Sequence, residues 1–159
     1  MGTYEEILET FKEKIKTVSV VEIADIPKID LYMDQVTTFM DQALAPYKRS
    51  SDGKVLTKTM INNYTKAKVL PPPIKKKYGR THIMLLIMIF HLKSVLSIKD
   101  IATLFQPIFA LPTKEDAEKQ TEKIYAGFIY LQKATLTYMQ ASAEGIIDDT
   151  LFQQEIMAD

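Results

Sequence analysis

The sequence predicts a mainly α-helical protein. Apolar residues recur every three or four positions along most of the chain, which is the spacing that gives a helix one buried face. Glycine is scarce at five residues, tryptophan is absent, and Leu, Ile, Met, Lys and Glu are abundant, which favours helices over sheet. At 159 residues, 47% hydrophobic and 25% charged, the chain suits one domain with an appended helical arm and not a disordered segment.

The first third of the chain predicts two amphipathic helices. One runs from Tyr4 to Lys16, and an irregular connector follows from Val18 to Pro27. The second runs from Asp30 to Leu44 and has the same apolar spacing. A turn-rich stretch from Pro46 to Gly53 predicts an exposed loop.

The centre of the chain predicts a helix with two unlike faces. It starts near Leu56, with Thr57 as its N-cap, and at about thirteen residues spans roughly 20 Å. The apolar side carries Leu56, Met60, Ile61, Tyr64 and Ala67. The other side holds donors and acceptors but no acid: Lys58, Thr59, Asn62, Thr65 and Lys66, with Asn63 at its rim. Three prolines at 71–73 must end this helix, because proline lacks the amide hydrogen. A short extended basic tip follows, with Lys75, Lys76, Lys77, Tyr78 and Arg80.

The second half predicts three more helices. Thr81 would cap an apolar core helix from His82 to about Val95, and Ser97 with Asp100 has capping-box spacing for a helix to about Gln106. Pro107 and Pro112 should break the chain before a long helix, capped by Thr113, that runs to about Ala143 and is ended by Gly145. Its apolar side chains form two adjacent stripes: Ile124, Phe128, Leu131 and Tyr138 on one, Tyr125, Ile129, Leu136 and Met139 on the next. A stripe that wide predicts cover by a second chain. The acidic tail could form one further short helix.

Positive charge is concentrated in the middle of the chain. The formal net charge is zero, but residues 1–47 carry −5, residues 48–82 carry +9 and residues 83–159 carry −4. A basic centre between acidic ends is typical of a nucleic-acid-binding surface, whereas a solvated lysine-rich surface is the alternative interpretation.

Residues 56–105 have the layout of a winged helix-turn-helix. They predict, in order, a helix, a proline turn, a basic tip, an apolar helix and a capped helix. This stretch resembles the DNA-binding half of the MerR-type regulators. The positions that match are Thr57, Ile61, Asn62, Tyr64, Val69, Leu70, Pro72, Lys76, Tyr78, Leu86, Ile89, Lys93, Ser97, Asp100 and Ile101. The phrases IDLYMDQV and LTKTMINNYTKAKVLPPP are more similar still to a bacterial family catalogued as domain of unknown function family 1836.

The chain departs from the MerR pattern in three respects. Asn62 stands where an arginine is usual in the recognition helix, and Lys68 replaces the glycine before the hydrophobic pair. The wing is several residues short, and the loop from Pro46 to Val55 is longer than a helix-turn-helix turn usually is.

The resemblance implies a DNA-binding transcriptional regulator in three parts: an N-terminal helix and connector (1–29), a MerR-like winged helix-turn-helix (30–106) and a C-terminal helical arm (107–159). Duplex DNA would meet a recognition helix (56–68) and a basic wing (73–80). Asn62 could bond an adenine edge, and the lysines and Arg80 could contact phosphates, with the Tyr78 hydroxyl beside them. The expected DNA-binding set is Thr57, Lys58, Thr59, Asn62, Asn63, Lys66, Lys75, Lys76, Lys77, Tyr78 and Arg80. Residues 114–143 would form a homodimer.

Other classes of function are less well supported by the sequence. His82 and His91 point to opposite sides of one predicted helix and cannot share a metal, and no nucleophile–base–orienter set or phosphate loop is present, so neither an enzyme nor a cofactor is expected. The acidic N-terminus is unlike a signal peptide, and the longest apolar run, eight residues, is too short to cross a bilayer, so a cytoplasmic protein is expected. The alternative is a non-enzymatic helical protein-interaction module; RNA binding would lack stacking aromatics beyond Tyr78. An unknown small-molecule effector could use apolar gaps between residues 83–92 and 124–139.

Overall fold

The protein is mainly helical, as predicted. A computed structural model describes residues 2–148, and side chains as far as Gly145. Its helices are α1 (Tyr4–Thr17), α2 (Met33–Ala43), α3 (Lys58–Lys66), α4 (Arg80–Leu92), α5 (Ile98–Phe109) and α6 (Lys114–Asp148). Two short strands, β1 (Leu31–Tyr32) and β2 (Lys77–Tyr78), and two 3₁₀ turns, Ile23–Asp25 and Ala45–Tyr47, complete the described part. The further helix expected in the acidic tail falls on residues 149–159, outside that part.

The chain divides into two compact units. One comprises residues 21–129, and the other combines the N-terminal residues up to 20 with those from 130 onward. This division differs from the predicted boundaries after residues 29 and 106. Residues on both sides of those boundaries belong to one core: Ile26 and Ile108 are buried, and the Tyr125 hydroxyl donates to the Val21 carbonyl at 2.6 Å.

The core of the 21–129 unit is built around α4. Every residue from His82 to Ile89 is buried, because this helix carries apolar side chains nearly all round. The apolar stripes of α2 and α3 also lie in the core: Val36 and Met40 from one helix, Ile61 and Tyr64 from the other. Between them the loop is anchored where Asp41 Oδ1 accepts a hydrogen bond from the Val55 amide at 2.7 Å.

The sequence did not predict the two-stranded antiparallel sheet. Its first strand, β1, lies directly before α2, and its second, β2, lies directly before α4. Leu31 pairs with Tyr78 and Tyr32 with Lys77. The helix predicted from Asp30 therefore begins only at Met33, because residues 31 and 32 are held extended by the strand that follows the prolines. This pairing joins the region before α2 to the basic tip some 45 residues later in the chain.

Several helix ends differ from the predictions. Gly79, and not Thr81, is the N-cap of α4, and its amide donates to His82 Nδ1 at 3.1 Å. Pro107 lies inside α5, where burial of Phe105 and Ile108 keeps the helix going despite the missing amide hydrogen. Gly145 does not end α6, which continues to Asp148. The predicted caps at Thr57, Ser97 and Thr113 are confirmed, with each hydroxyl accepting an amide hydrogen bond.

The smaller unit contains α1 and the second half of α6. The capping box of Thr3 and Glu6 starts α1. Among the described residues of this unit, the buried apolar ones are Ile15 and Ala143. Many of its large apolar side chains are exposed: Tyr4, Ile7, Phe11, Tyr130, Leu131, Tyr138 and Met139.

Candidate nucleic-acid interface

The polar face of α3 is exposed as predicted. Thr57 caps the helix, its hydroxyl accepting the Met60 amide at 3.2 Å, and the side chains of the face point away from the core. The exposed members are Thr57, Lys58, Thr59, Asn62, Asn63 and Lys66. With nine residues the helix is about 13 Å long, shorter than the roughly 20 Å expected, because it begins after Thr57 and ends at Lys66.

One lysine of this face already has a carboxylate partner. Lys58 Nζ forms an ion pair with Asp34 Oδ1 of α2, and both side chains are largely exposed. Exposed pairs of this kind contribute little to stability, typically below about 1 kcal/mol. A phosphate would compete with Asp34 for Lys58, so this lysine is a weaker candidate contact than Lys66.

Lys68 closes the C-terminal end of α3 in a left-handed conformation, with φ of 59°. Its amide donates to the Thr65 carbonyl at 3.1 Å, and the Val69 amide donates to the Tyr64 carbonyl at 3.0 Å. These two bonds are a Schellman motif, in which glycine is the usual residue at the left-handed position. Lysine therefore occupies a position where the backbone would prefer glycine.

The basic tip is a two-residue β-hairpin turn. Ile74 and Lys77 exchange both backbone hydrogen bonds at 3.0 Å, and between them Lys75 and Lys76 have φ of 50° and 64°. Positive φ at both central residues is the signature of a type I′ turn, which Asn-Gly fits best. We call residues 74–78 the lysine hairpin.

Within the described part of the chain, the non-glycine residues with positive φ are Lys68, Lys75 and Lys76. Each left-handed lysine costs roughly 1 kcal/mol of backbone energy. All three side chains are exposed, so this backbone strain is located at charged residues on the surface. Sequence analysis noted Lys68 only as a departure and did not include it in the candidate site.

Lys77 and Tyr78 are held by the protein and do not project from the hairpin. Lys77 Nζ lies 5.1 Å from the centroid of the Tyr32 ring, a cation–π contact across the sheet. Tyr78 is only 3% exposed, and its ring meets the His82 ring edge-on at 5.3 Å. Burial also raises the pKa of the Tyr78 hydroxyl. The predicted phosphate contact of Tyr78 is therefore wrong; this tyrosine anchors the hairpin to the core.

Arg80 is likewise an anchor more than a free cation. It is the first residue of α4, is half-buried, and donates from Nη2 to the Ile23 carbonyl at 3.1 Å. Its Nε is buried and has no hydrogen-bond partner among the described residues. The arginine thus faces inward, which the sequence position beside three lysines did not indicate.

His82 locks the end of the proline run to the start of α4, a role that sequence analysis missed. Its Nδ1 accepts from the Gly79 amide, and its Nε2 lies 3.1 Å from the Pro72 carbonyl, which fixes the neutral tautomer with the proton on Nε2. Burial lowers the pKa of His82 despite the Pro72 and Pro71 carbonyls, which raise it. A protonated ring could not accept the hydrogen bond from the Gly79 amide, so this pair of hydrogen bonds requires a neutral His82.

We expect the protein to lose stability as the pH falls from about 6.5 to about 4. Burial lowers the pKa of His91 to about 4, and His82 shifts in the same direction, so the unfolded chain takes up protons in this window while the folded protein does not. Their stabilising contribution is complete above about pH 6.5 and is lost as the pH decreases. The His91→Phe variant keeps an aromatic ring beside Tyr47 and should lose less stability than the parent over this range in urea unfolding. An unchanged pH dependence in this variant would contradict the assignment.

Among residues 2–148, no helix combines the length and apolar character needed to cross a membrane. The same residues contain no group of three or more His, Asp or Glu side chains placed to hold a metal ion. The arrangement described above presents exposed lysines and the Asn62 side chain to solvent.

Comparison with known proteins identifies the family and little else. No curated protein and no solved structure matches the chain significantly. A family model described as Domain of unknown function (DUF1836) matches residues 21–128, close to the bounds of the larger compact unit. Since the match covers more than half of the sequence, the chain belongs to this family of domains of unknown function.

Proposed function

We propose that the protein is a transcriptional regulator that binds duplex DNA through the polar face of α3 and the lysine hairpin. The observation that carries the proposal is the left-handed lysines at 68, 75 and 76, where backbone strain is accepted and positive charge is presented to solvent. In this proposal α3 is the recognition helix and the lysine hairpin is the wing of a MerR-like winged helix-turn-helix.

The C-terminal end of α3 and the lysine hairpin border one cleft. Thr65 and Lys68 line it from the helix and its cap, and Ile74 and Lys77 line it from the hairpin. The helix and the hairpin are therefore close in space as well as in sequence. A recognition helix in the major groove with a basic loop beside it on the backbone is a common mode of DNA binding.

The available positive charge is on four lysines. Lys66, Lys68, Lys75 and Lys76 are exposed, and none of them forms an ion pair within the described part of the chain. Lysines of this kind contact phosphates and position a protein on the duplex without reading sequence. Asn62, on the exposed face of α3, can form hydrogen bonds with an adenine edge through its side-chain amide.

The direct test is titration with mixed-sequence duplex DNA across a salt series. Neutralising phosphates releases counterions, so log affinity should fall linearly with log salt concentration, by about 0.9 for each phosphate contact. Absence of binding at about 50 mM salt, or affinity independent of salt, would refute the proposal.

We expect Asn62→Ala and Lys66→Ala to have different effects. Loss of the amide should reduce preference for the selected site by roughly 1–3 kcal/mol and leave non-specific binding nearly intact. Loss of the lysine should weaken binding to all sequences about equally, because phosphate is common to all. In vitro site selection with both variants measures the difference; if both keep the wild-type preference, Asn62 does not read bases.

A homodimer through α6 is part of the proposal, but only part of the two predicted apolar stripes is free for it. Tyr125 and Ile129 are 1% and 4% exposed, so the chain covers them itself. Among the described side chains in the second half of α6, the large exposed apolar ones are Tyr130, Leu131, Tyr138 and Met139. Leu131 and Tyr138 are seven residues apart, the repeat of a coiled-coil seam. A second copy of the chain is the partner that this seam suits.

A further inference from the structure

A large cleft lies within the 21–129 unit. The C-terminal end of α3 and the lysine hairpin form one side, and the C-terminal end of α5 with the first turns of α6 forms the other. Its volume is about 810 Å³, within the range of small-molecule sites. The sequence placed a small-molecule effector elsewhere, in apolar gaps between residues 83–92 and 124–139.

The cleft combines an apolar floor with a cationic rim. Its accessible apolar lining comes from Ile74, which is exposed, and from Phe109 and Leu111, which are half-buried. Leu70, Met84 and Ile108 also line it but are nearly fully buried. The cations that line it are Lys28, Lys68, Lys77, Arg80 and Lys114. Three carboxylates also line it, and one of them, Glu118, pairs with Lys114 at 3.5 Å, so cations exceed acids by two.

Arg80 is the polar group whose hydrogen bonding is incomplete. It lines the cleft, its Nη2 is used by the Ile23 carbonyl, and its buried Nε has no partner among the described residues. Because this Nε has essentially no accessible surface, a ligand in the cleft would meet the positive charge of Arg80 and not this N–H. The first turn of α4 begins here as well, and its amides add positive potential at the same end of the cleft.

We propose that this cleft binds an amphipathic carboxylate. The carboxylate lies at Lys68, Lys77 and Arg80, and the apolar body lies on Ile74, Phe109 and Leu111. A neutral apolar molecule would leave the cationic rim without a counter-charge, and a hydrophilic anion would leave the exposed apolar lining in water. This inference concerns the free protein and does not depend on DNA binding.

The probe is decanoate, followed by tryptophan fluorescence of the full chain. Since the sequence has no tryptophan, Phe109→Trp places a single reporter in the cleft wall. We expect a saturable emission change with decanoate and none with decyltrimethylammonium, which has the same tail and the opposite charge. Inorganic phosphate, as an anion without a tail, should not compete.

Two changes in the reporter protein locate the site. Ala117→Phe fills the cleft from α6 and should abolish the saturable change. Lys68→Gln with Lys77→Gln should weaken decanoate binding about tenfold, a loss of about 1.4 kcal/mol. The matched control, Lys99→Gln with Lys123→Gln, removes two exposed lysines outside the lining and should leave the affinity unchanged.

Three results would overturn the proposal. They are the absence of a saturable response to decanoate, an equal response to the cationic analogue, and competition by phosphate alone. If Ala117→Phe does not fold, an affinity for decanoate that is the same in the Lys68/Lys77 variant and in the Lys99/Lys123 control would equally refute it.

Discussion

Lys75→Asn combined with Lys76→Gly should stabilise the protein and weaken its binding to DNA. Asn-Gly is the preferred sequence for the type I′ turn that these lysines form, and relief of two left-handed lysines should raise the free energy of unfolding by about 1–2 kcal/mol. Loss of two phosphate contacts should flatten the log–log salt dependence of binding by about 1.8. Urea unfolding and duplex titration measure the two effects on the same samples.

The opposite directions of these effects make the test specific. A variant that bound DNA less well because it was damaged would also be less stable. Lys99→Gln with Lys123→Gln, which also removes two positive charges, is the control and should leave the salt dependence unchanged. If the variant is stabilised but its DNA affinity is unaltered, the lysine hairpin is not part of the DNA interface. If the variant is less stable, the type I′ assignment of the turn is wrong.

Leu131→Glu combined with Tyr138→Glu should convert a dimer into a folded monomer. The two side chains are 65% and 75% exposed, so glutamate at these positions leaves the chain's own core intact. In a coiled coil each large apolar side chain would stabilise association by roughly 1.5–3 kcal/mol, and facing glutamates would repel. A monomer offers DNA one recognition helix where a two-fold dimer offers two, so affinity for a palindromic site should fall sharply.

Sedimentation at tens of micromolar, followed by duplex titration, tests this prediction. Thr137→Glu adds charge to the same helix away from the seam and should leave the dimer intact. Glutamate at Ile129, by contrast, would report on folding, because that side chain is buried within the 21–129 unit. The dimer proposal fails if the unmodified protein is monomeric at these concentrations.

The helices could be predicted because they depend on local signals. Apolar spacing located α1, α2, α3 and α6, an apolar run located α4, and a capping box located α5. Hydroxyl side chains marked the starts of α3, α5 and α6. The two-residue strands could not be found in this way, since their pairing joins Leu31 to Tyr78, and neither strand is long enough to show alternation. The cap at Gly79 was missed for a similar reason: it depends on a histidine ring and not on a hydroxyl.

The positions of the candidate site's side chains could be predicted where charge determines their exposure, but not where packing against other elements determines it. Lys66, Lys75 and Lys76 are exposed because burying an ammonium group is costly. Tyr78 and Arg80 lie in the same basic stretch but turn inward, one to His82 and the other to the Ile23 carbonyl. Both partners belong to other elements, so no pattern within the stretch could have separated anchors from free cations.

The three prolines between α3 and the lysine hairpin limit how freely these two elements can move relative to each other. Residues 71–73 have backbone φ fixed by their rings, and the Pro72 carbonyl is tied to His82 at the start of the buried helix α4. Ordering a flexible connector on a ligand would cost roughly 1–2 kcal/mol for each residue. Here that entropy has already been lost in folding, so the helix and the hairpin reach a partner as a single preorganised body.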